Sequence, residues 1–295
     1  DPLPPDGPDS GVVPTIVFSS DRWADPCLML DGSGRLHSVF TAEGTLYHAS
    51  FDGAGWVTEA IAERPSGFDY LRATLDSHDA PHVVWLLSGF NTPAGFEYAH
   101  RSDGGWVTET LPPIAISEDD TPLDVAVDQS DTVHVLWAPR LDHLQRSAVG
   151  TWTIEKIPVS LAPGEQVLDS AFLANLSTGP AVLFMRVPQE QDSHSIELTT
   201  LDAGSWSAPE LVTSIRGDGA WLIAATSADG TRLAAAIAQG PHAVFVRGDA
   251  GWTSFDLGAV AGAWVLGLAF DDQDRVHWLE SSSTYPFFER FDETP

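Results

Sequence analysis

A six-residue spacing between an aspartate and a histidine, flanked by apolar runs, constrains this chain more than anything else in it. Asp31 and His37, Asp76 and His82, Asp128 and His134, and Asp271 and His277 all share it. Two degenerate copies, Asn175 with Ala181 and Ser227 with Leu233, keep the spacing without the side chains. The six starts lie 45, 52, 47, 52 and 44 residues apart. Each copy reads as an apolar strand, a polar turn and a second apolar strand (HSVF, HVVW, HVLW, AVLF, LAAAI, HWLE). A repeated unit of this length with short β-type runs predicts a stack or ring of small sheets.

A second repeat follows each hairpin. A Gly-rich turn precedes a tryptophan at Trp56, Trp106, Trp152, Trp206 and Trp252, and an alternating strand such as VTEAI or VTETL comes next. Four strands per unit is the blade of a β-propeller. The expectation is an all-β, six-bladed β-propeller of four-stranded blades. The last blade has no Trp strand of its own. The spacing from Val12 to Asp31 matches that from Trp252 to Asp271, 19 residues in each case. Residues 12–19 are therefore expected to close the last blade from the N-terminal side, which satisfies an otherwise open sheet edge. The expected organisation is a Pro/Asp-rich linker over 1–11 and one domain over 12–295.

At the Trp turns the chain resembles the Asp-box of sialidase-like propellers, Ser-x-Asp-x-Gly-x-Thr-Trp. Ser50, Asp52, Gly55 and Trp56 approach it, as do Thr200, Asp202, Gly204 and Trp206. No copy matches in full, and the resemblance is specific for fold only. It implies a structural role for these turns, away from any active face.

Charge narrows the partners. The chain carries 14 Lys+Arg against 42 Asp+Glu, a formal net charge of −28. Such a surface repels phosphate backbones and anionic lipid, so nucleic acid is not expected as a partner. No apolar run is long enough for a transmembrane helix. Cys27 is the only cysteine, which excludes an intrachain disulfide and a Cys-rich zinc site. It sits in the apolar run PCLML and is expected to be a buried, inert thiol. The start DPLPPDGPDSG reads as a linker left after processing. That points to an exported protein: extracellular, periplasmic or at the cell surface, from a precursor that could be lipid-tethered.

Alternating strand direction sorts the loops into two faces. The Asp-turn-His turns and the Trp turns share one. The blade-to-blade crossings and the loops between second and third strands share the other. The repeated histidines and tryptophans are expected to be structural: each His bonds its own turn, and each Trp wedges between blades. The crossing face is where the copies disagree, and function can be grafted there. Six residues before each turn start stand Asp25, Tyr70, Pro122, Asp169, Trp221 and Val265, with Trp23, Asp69, Arg72, Asp124 and Trp264 close by. The candidate ligand-binding set is Trp23, Asp25, Asp69, Tyr70, Arg72, Asp124, Asp169, Trp221 and Trp264. Arg72 and Asp124 occupy one repeat position in adjacent blades, which suits an ion pair.

Rings and carboxylates around a central opening suit a glycan. Carboxylates also suit calcium, the only cofactor considered. The plain alternative is a set of solvated loop acids. No catalytic residue is assigned: nucleophile elbow, P-loop, His-Glu-x-x-His and dinucleotide motifs are absent from the sequence. A sialidase would need an Arg trio and a Tyr–Glu pair, and a negative field opposes its anionic substrate. The expectation is a monomeric, non-catalytic binding module for a glycan or a protein surface. The alternatives are a polysaccharide hydrolase or lyase using carboxylates of the same face, such as Asp69 with Asp124, and a pure interaction scaffold.

Overall fold

The computed structural model describes residues 26–63, 68–87, 95–114, 123–137, 140–188, 193–216, 222–227, 229–237, 243–248, 251–256, 264–271, 273–281 and 286–290. Six antiparallel sheets follow one another along the chain, one per sequence repeat. Blade 1 is β1 (Cys27–Leu30), β2 (Leu36–Ala42), β3 (Thr45–Phe51) and β4 (Trp56–Glu63). Blade 2 is β5 (Asp69–Leu75), β6 (Pro81–Leu87), β7 (Gly95–Ser102) and β8 (Gly105–Thr110). Blade 3 is β9 (Leu123–Val127), β10 (Val133–Trp137), β11 (Asp142–Arg146) and β12 (Trp152–Lys156). Blade 4 is β13 (Gln166–Leu176), β14 (Gly179–Val187) and β15 (Ser193–Asp202), with an outer strand split into β16 (Ser205–Trp206) and β17 (Glu210–Arg216). Blade 5 is β18 (Leu222–Thr226), β19 (Leu233–Ile237), β20 (Ala243–Gly248) and β21 (Gly251–Asp256). Blade 6 shows β22 (Trp264–Phe270), β23 (Val276–Ser281) and β24 (Pro286–Arg290). The expected linker 1–11 and closing strand 12–19 lie outside the described residues.

The first strands of neighbouring blades pack side by side, β1 on β5, β5 on β9, β9 on β13, β13 on β18 and β18 on β22. Five apolar clusters fill the five seams between consecutive blades. The seam of blades 2 and 3, for example, packs Val84, Phe96 and Tyr98 against Leu123, Val135 and Trp137. A sixth cluster, built on Phe40, Ala42 and Ala49, lies within blade 1. Second strands are covered on both faces, so they read as unbroken apolar runs: all of VHVLW and all of LAAAI are buried. Outer strands meet solvent, and WTIEK is largely exposed. Trp85 and Trp137, at matching positions of β6 and β10, are fully buried. An aromatic ring buried this way contributes on the order of 2–3 kcal/mol.

In blades 1, 2, 3 and 6 the turn after the first strand has one geometry. Asp31, Asp76, Asp128 and Asp271 each accept, through Oδ1, backbone N–H bonds from the residues two and four ahead, at 2.7–2.9 Å. An aspartate holding its own turn in this way explains why the residue type repeats. In blade 5 the Ser227 hydroxyl takes part of the role, accepting from Arg232 N at 3.0 Å. The fourth turn residue is left-handed in blades 1, 2, 3, 5 and 6, where Gly34, Asp79, Asp131, Gly230 and Asp274 have φ between 57° and 80°; in the shorter turn of blade 4 Gly179 takes the positive φ. In blades 2 and 3 the carboxylate of that residue reaches the preceding blade, and in blade 6 the Asp274 carbonyl accepts from Arg232 of blade 5. Asp79 accepts from Gly32 N at 2.8 Å, and Asp131 accepts from Ser77 N at 3.0 Å and Ser77 Oγ at 2.9 Å. The turns thus form a linked arc. No helix among the described residues is long and apolar enough to cross a membrane.

Candidate functional site

At the turn face the histidines do what the spacing implies. His37, His82, His134 and His277 place Nε2 at 3.0–3.2 Å from Oδ2 of the aspartate six residues earlier. They stand in separate blades, each tied to its own turn, so a metal ring is not their role. His37, His82 and His134 then meet a second buried group on the third strand. His37 Nδ1 lies 3.0 Å from His48 Nε2, His134 Nδ1 lies 2.9 Å from His143 Nε2, and His82 Nδ1 meets the Tyr98 hydroxyl. The outer strand adds Glu59, 3.2 Å from His48 Nδ1, and Glu155, 3.0 Å from His143 Nδ1. Burial lowers the pKa of His48, His82 and His134, and pushes His143 down to about 4, against the pull of the neighbouring carboxylates.

The outer-strand glutamates also clasp the next blade. Glu59 meets Arg101 Nε at 3.2 Å. Glu109 accepts from Arg146 and, at 2.9 Å, from the Trp152 indole N–H. Glu155 accepts from Trp206 Nε1 at 2.8 Å, and Glu210 from Trp252 Nε1 at 3.1 Å and Arg247 at 3.4 Å. The repeated tryptophans do wedge between blades: Trp106 stands edge-on to His48, Trp152 to Tyr98 and Trp206 to His143. They are half-buried; the indole nitrogens of Trp152 and Trp206 meet the glutamates at the seam rim, while that of Trp106 is buried. Cys27 is also half-buried, and its Sγ lies 3.4 Å from the Leu71 carbonyl.

Among the described residues, Asp76, His78 and Asp131 bring ligand-type atoms within 4.8 Å of one another on the turn face. Their oxygens already accept backbone and Ser77 donors, and His78 is exposed. The trio is part of the turn linkage between blades 2 and 3.

The crossing ends of the first strands are different. Pairing of β5 with β6 slips between Asp69 and Arg72, that of β13 with β14 between Leu168 and Ala171, and that of β22 with β23 between Val265 and Gly267. These three bulges, in blades 2, 4 and 6, lie close together in the repeat: they leave Tyr70 and Leu71, Asp169 and Ser170, and Leu266 out of the ladder, while Val265 still pairs with Glu280. A bulge frees a residue from the ladder and re-aims it. Tyr70 is the described example: its φ is +49° and its side chain is 37% exposed. Left-handed backbone at a bulky residue is strained by about 1–3 kcal/mol.

The remaining candidate residues divide as follows. Asp69 starts β5, Asp169 lies in the β13 bulge and Trp264 starts β22. Arg72 and Asp124 sit at equivalent places on the adjacent strands β5 and β9. Arg72 donates to the Leu71 carbonyl at 2.8 Å, and Asp124 Oδ1 accepts from Val125 N at 2.9 Å. Trp23, Asp25 and Trp221 lie outside the described residues. Two other arginines are engaged with acids: Arg186 with Glu197 at 2.8 Å and Glu165 at 3.6 Å, and Arg140 with Asp142 at 3.3 Å.

No protein-family model matches the chain, and no curated protein matches it. Solved structures do, and the similar ones are β-propellers. The NanB sialidase from Streptococcus pneumoniae is 10% identical, with a TM-score of 0.57 over 94% of this chain and 67% of that one. A GH93 α-L-arabinofuranosidase of Fusarium graminearum, solved with arabinobiose, is 9% identical, with a TM-score of 0.55 over 87% of each chain. A catalytically inactive virginiamycin B lyase from Staphylococcus aureus, solved with quinupristin, is 11% identical, with a TM-score of 0.55 over 91% and 84%. The likeness is one of fold. It agrees with the resemblance carried by the Trp turns.

Proposed function

We propose that the chain is a non-catalytic binding module, working outside the cytoplasm, whose ligand sits on the crossing face around the central opening. The observation that carries this is the set of three bulges toward the crossing ends of the first strands of blades 2, 4 and 6. The ligand in this reading is a glycan or a protein surface. Tyr70, Trp221, Trp264 and Trp23 offer rings for stacking, and Asp25, Asp69, Asp124 and Asp169 accept hydroxyl hydrogen bonds or hold a calcium ion. Arg72 supplies the one cation of the set. The sheets form one domain, and residues 12–19 pair beside β24 to complete blade 6. The Phe40 cluster of blade 1 then faces blade 6. The protein acts as a monomer.

A glycan array probed with the chain and with its Tyr70→Ala and Trp221→Ala variants tests the reading. Binding that weakens at least tenfold in both variants is expected. Binding that both variants retain in full refutes it. Melting with and without chelator tests calcium: an ion at 100 times its dissociation constant adds about 2.7 kcal/mol.

A second reading, hydrolysis or cleavage of a polysaccharide on the same face, is favoured by the sialidase and arabinofuranosidase among the similar folds. Turnover of a polysaccharide panel that disappears in Asp69→Asn or Asp124→Asn would replace the first reading with it. The pairing of Arg140 and Arg186 with carboxylates counts against an anionic sugar as the substrate.

A further inference from the structure

Two hydrogen-bond chains on the turn face have a proton count that does not balance. In blade 1 the chain runs Asp31–His37–His48–Glu59, with gaps of 3.2, 3.0 and 3.2 Å. In blade 3 it runs Asp128–His134–His143–Glu155, with gaps of 3.2, 2.9 and 3.0 Å. Each chain has three gaps, and each gap needs one proton. Two neutral imidazoles carry only two N–H groups.

The ends do not supply the third. Asp31 Oδ1 also accepts from the Ser33 hydroxyl and from two backbone N–H groups. These bonds, the Ser33 hydroxyl first, hold its carboxyl well below the usual carboxylate range despite burial. Glu59 faces Arg101, and Glu155 accepts the Trp206 indole N–H, so both glutamates are placed as acceptors. With two protons, the outer Nδ1 turns a lone pair toward a carboxylate.

Blade 2 carries the balanced version. Tyr98 stands where His48 and His143 stand. Its hydroxyl donates to His82 Nδ1, and His82 Nε2–H donates to Asp76. Two gaps are filled by two protons.

We propose that the His37–His48 and His134–His143 pairs are proton-uptake sites: as pH falls below neutrality each pair binds one proton, at Nδ1 of the outer histidine, bridging it to Glu59 or Glu155. The charged groups around the first pair are Asp31, with Arg35 3.8 Å from it, and Glu59, with Arg101 from blade 2. Around the second they are Asp128 and Glu155, and Trp206 of blade 4 donates to the latter. Flanking carboxylates attract the proton, while burial resists it and sets uptake below the ordinary histidine range. A second proton in the same pair would place two imidazolium rings in contact, so each pair takes one. Because Glu59 and Glu155 also bond the next blade, the proton state reaches the seams of blades 1–2 and 3–4.

Histidine nitrogen NMR on the folded protein between pH 8 and pH 4 reads this directly. Nδ1 of His48 and of His143 should pass from a lone-pair signal to a protonated one, one proton per pair, with His37 and His134 little changed. In Glu59→Gln and Glu155→Gln the amide N–H fills the third gap, and the transition should be lost. His48→Tyr and His143→Tyr, which copy blade 2, should abolish it too and serve where a Gln variant does not fold. The proposal is overturned if both rings of a pair titrate, if neither does before acid unfolding, or if the transition persists in the folded variants.

Discussion

The clasp between blades 2 and 3 offers the sharpest test of how neighbouring blades are held together. Glu109 accepts from the Arg146 guanidinium and the Trp152 indole, and its side chain is 23% exposed against 18% for Arg146. Arg146 in turn lies over the Tyr98 ring at 5.7 Å. Replacing Glu109 by Ala removes charge-assisted bonds worth about 1.5–3 kcal/mol each where buried. Partial exposure screens them, so the expected loss is about 2–3 kcal/mol in total. For a chain of 295 residues the unfolding entropy is about 0.6 kcal/mol per degree, which makes the expected drop in melting temperature about 4 °C. Calorimetry of Glu109→Ala, Arg146→Ala and the double variant isolates the pair. Burial raises the Glu109 pKa, and the Arg146 and Trp152 bonds lower it further than burial raises it. The sign follows: the stabilisation is complete above the unfolded carboxylate range and is lost as pH falls through the lower folded value. The wild-type advantage should therefore shrink below about pH 4. A loss under about 0.5 kcal/mol at pH 7, or additive single variants, would show that the seam is held by its apolar core alone.

Three further outcomes are expected. Gly179→Ala should cost at least about 2 kcal/mol in denaturant titration, because φ there is +124° and the new Cβ would sit 2.5 Å from the Leu201 carbonyl oxygen. Tyr70→Gly should raise the melting temperature by relieving the left-handed strain, by about 1 kcal/mol, while abolishing ligand binding; a variant that is both less stable and fully binding contradicts the site. Burial holds His48, His82, His134 and His143 below their unfolded values, so their contribution is complete above about pH 6.5 and is lost as pH falls from there. Chemical denaturation should show decline beginning near that pH, well above the carboxylate range, and a flat profile down to pH 5 would refute it.

Much of the architecture is legible because repetition exposes it. The Asp–His spacing is a bond between two residues of one hairpin, so it survives in the sequence as a fixed number. The outer-strand glutamates were equally visible, three residues after Trp56, Trp106 and Trp152 in VTEAI, VTETL and TIEKI. Sequence reasoning passed over them because their partners Arg101, Arg146 and Trp206 belong to the next blade. His48 and His143 are harder to find: they follow the hairpin histidine by 11 and 9 residues, since the paired second and third strands extend further in blade 1 than in blade 3. The bulges could not be read at all. They depend on how two strands pair, and a slipped register leaves no mark in residue types. Of the candidate ligand set, the sequence located Tyr70 at the bulge, but nothing in it fixed the direction of any ring or carboxylate.

The two faces obey opposite rules, and the contrast bears on function. On the turn face the bonding capacity of each aspartate is used. One oxygen holds two backbone N–H groups and the other holds a histidine, in blade after blade. Selection for folding alone produces this, since the same local problem has the same local solution. On the crossing side the pairing of first and second strands slips in blades 2, 4 and 6. Each break gives up regular pairing, and at Tyr70 it adds backbone strain as well. A cost that recurs near the crossing end of three first strands is not explained by the turn motif. It is explained if the freed positions share an opening and differ because a ligand meets each of them differently. In the proposed reading the variable residues carry the information about the ligand, and the repeated ones carry the sheets that present them.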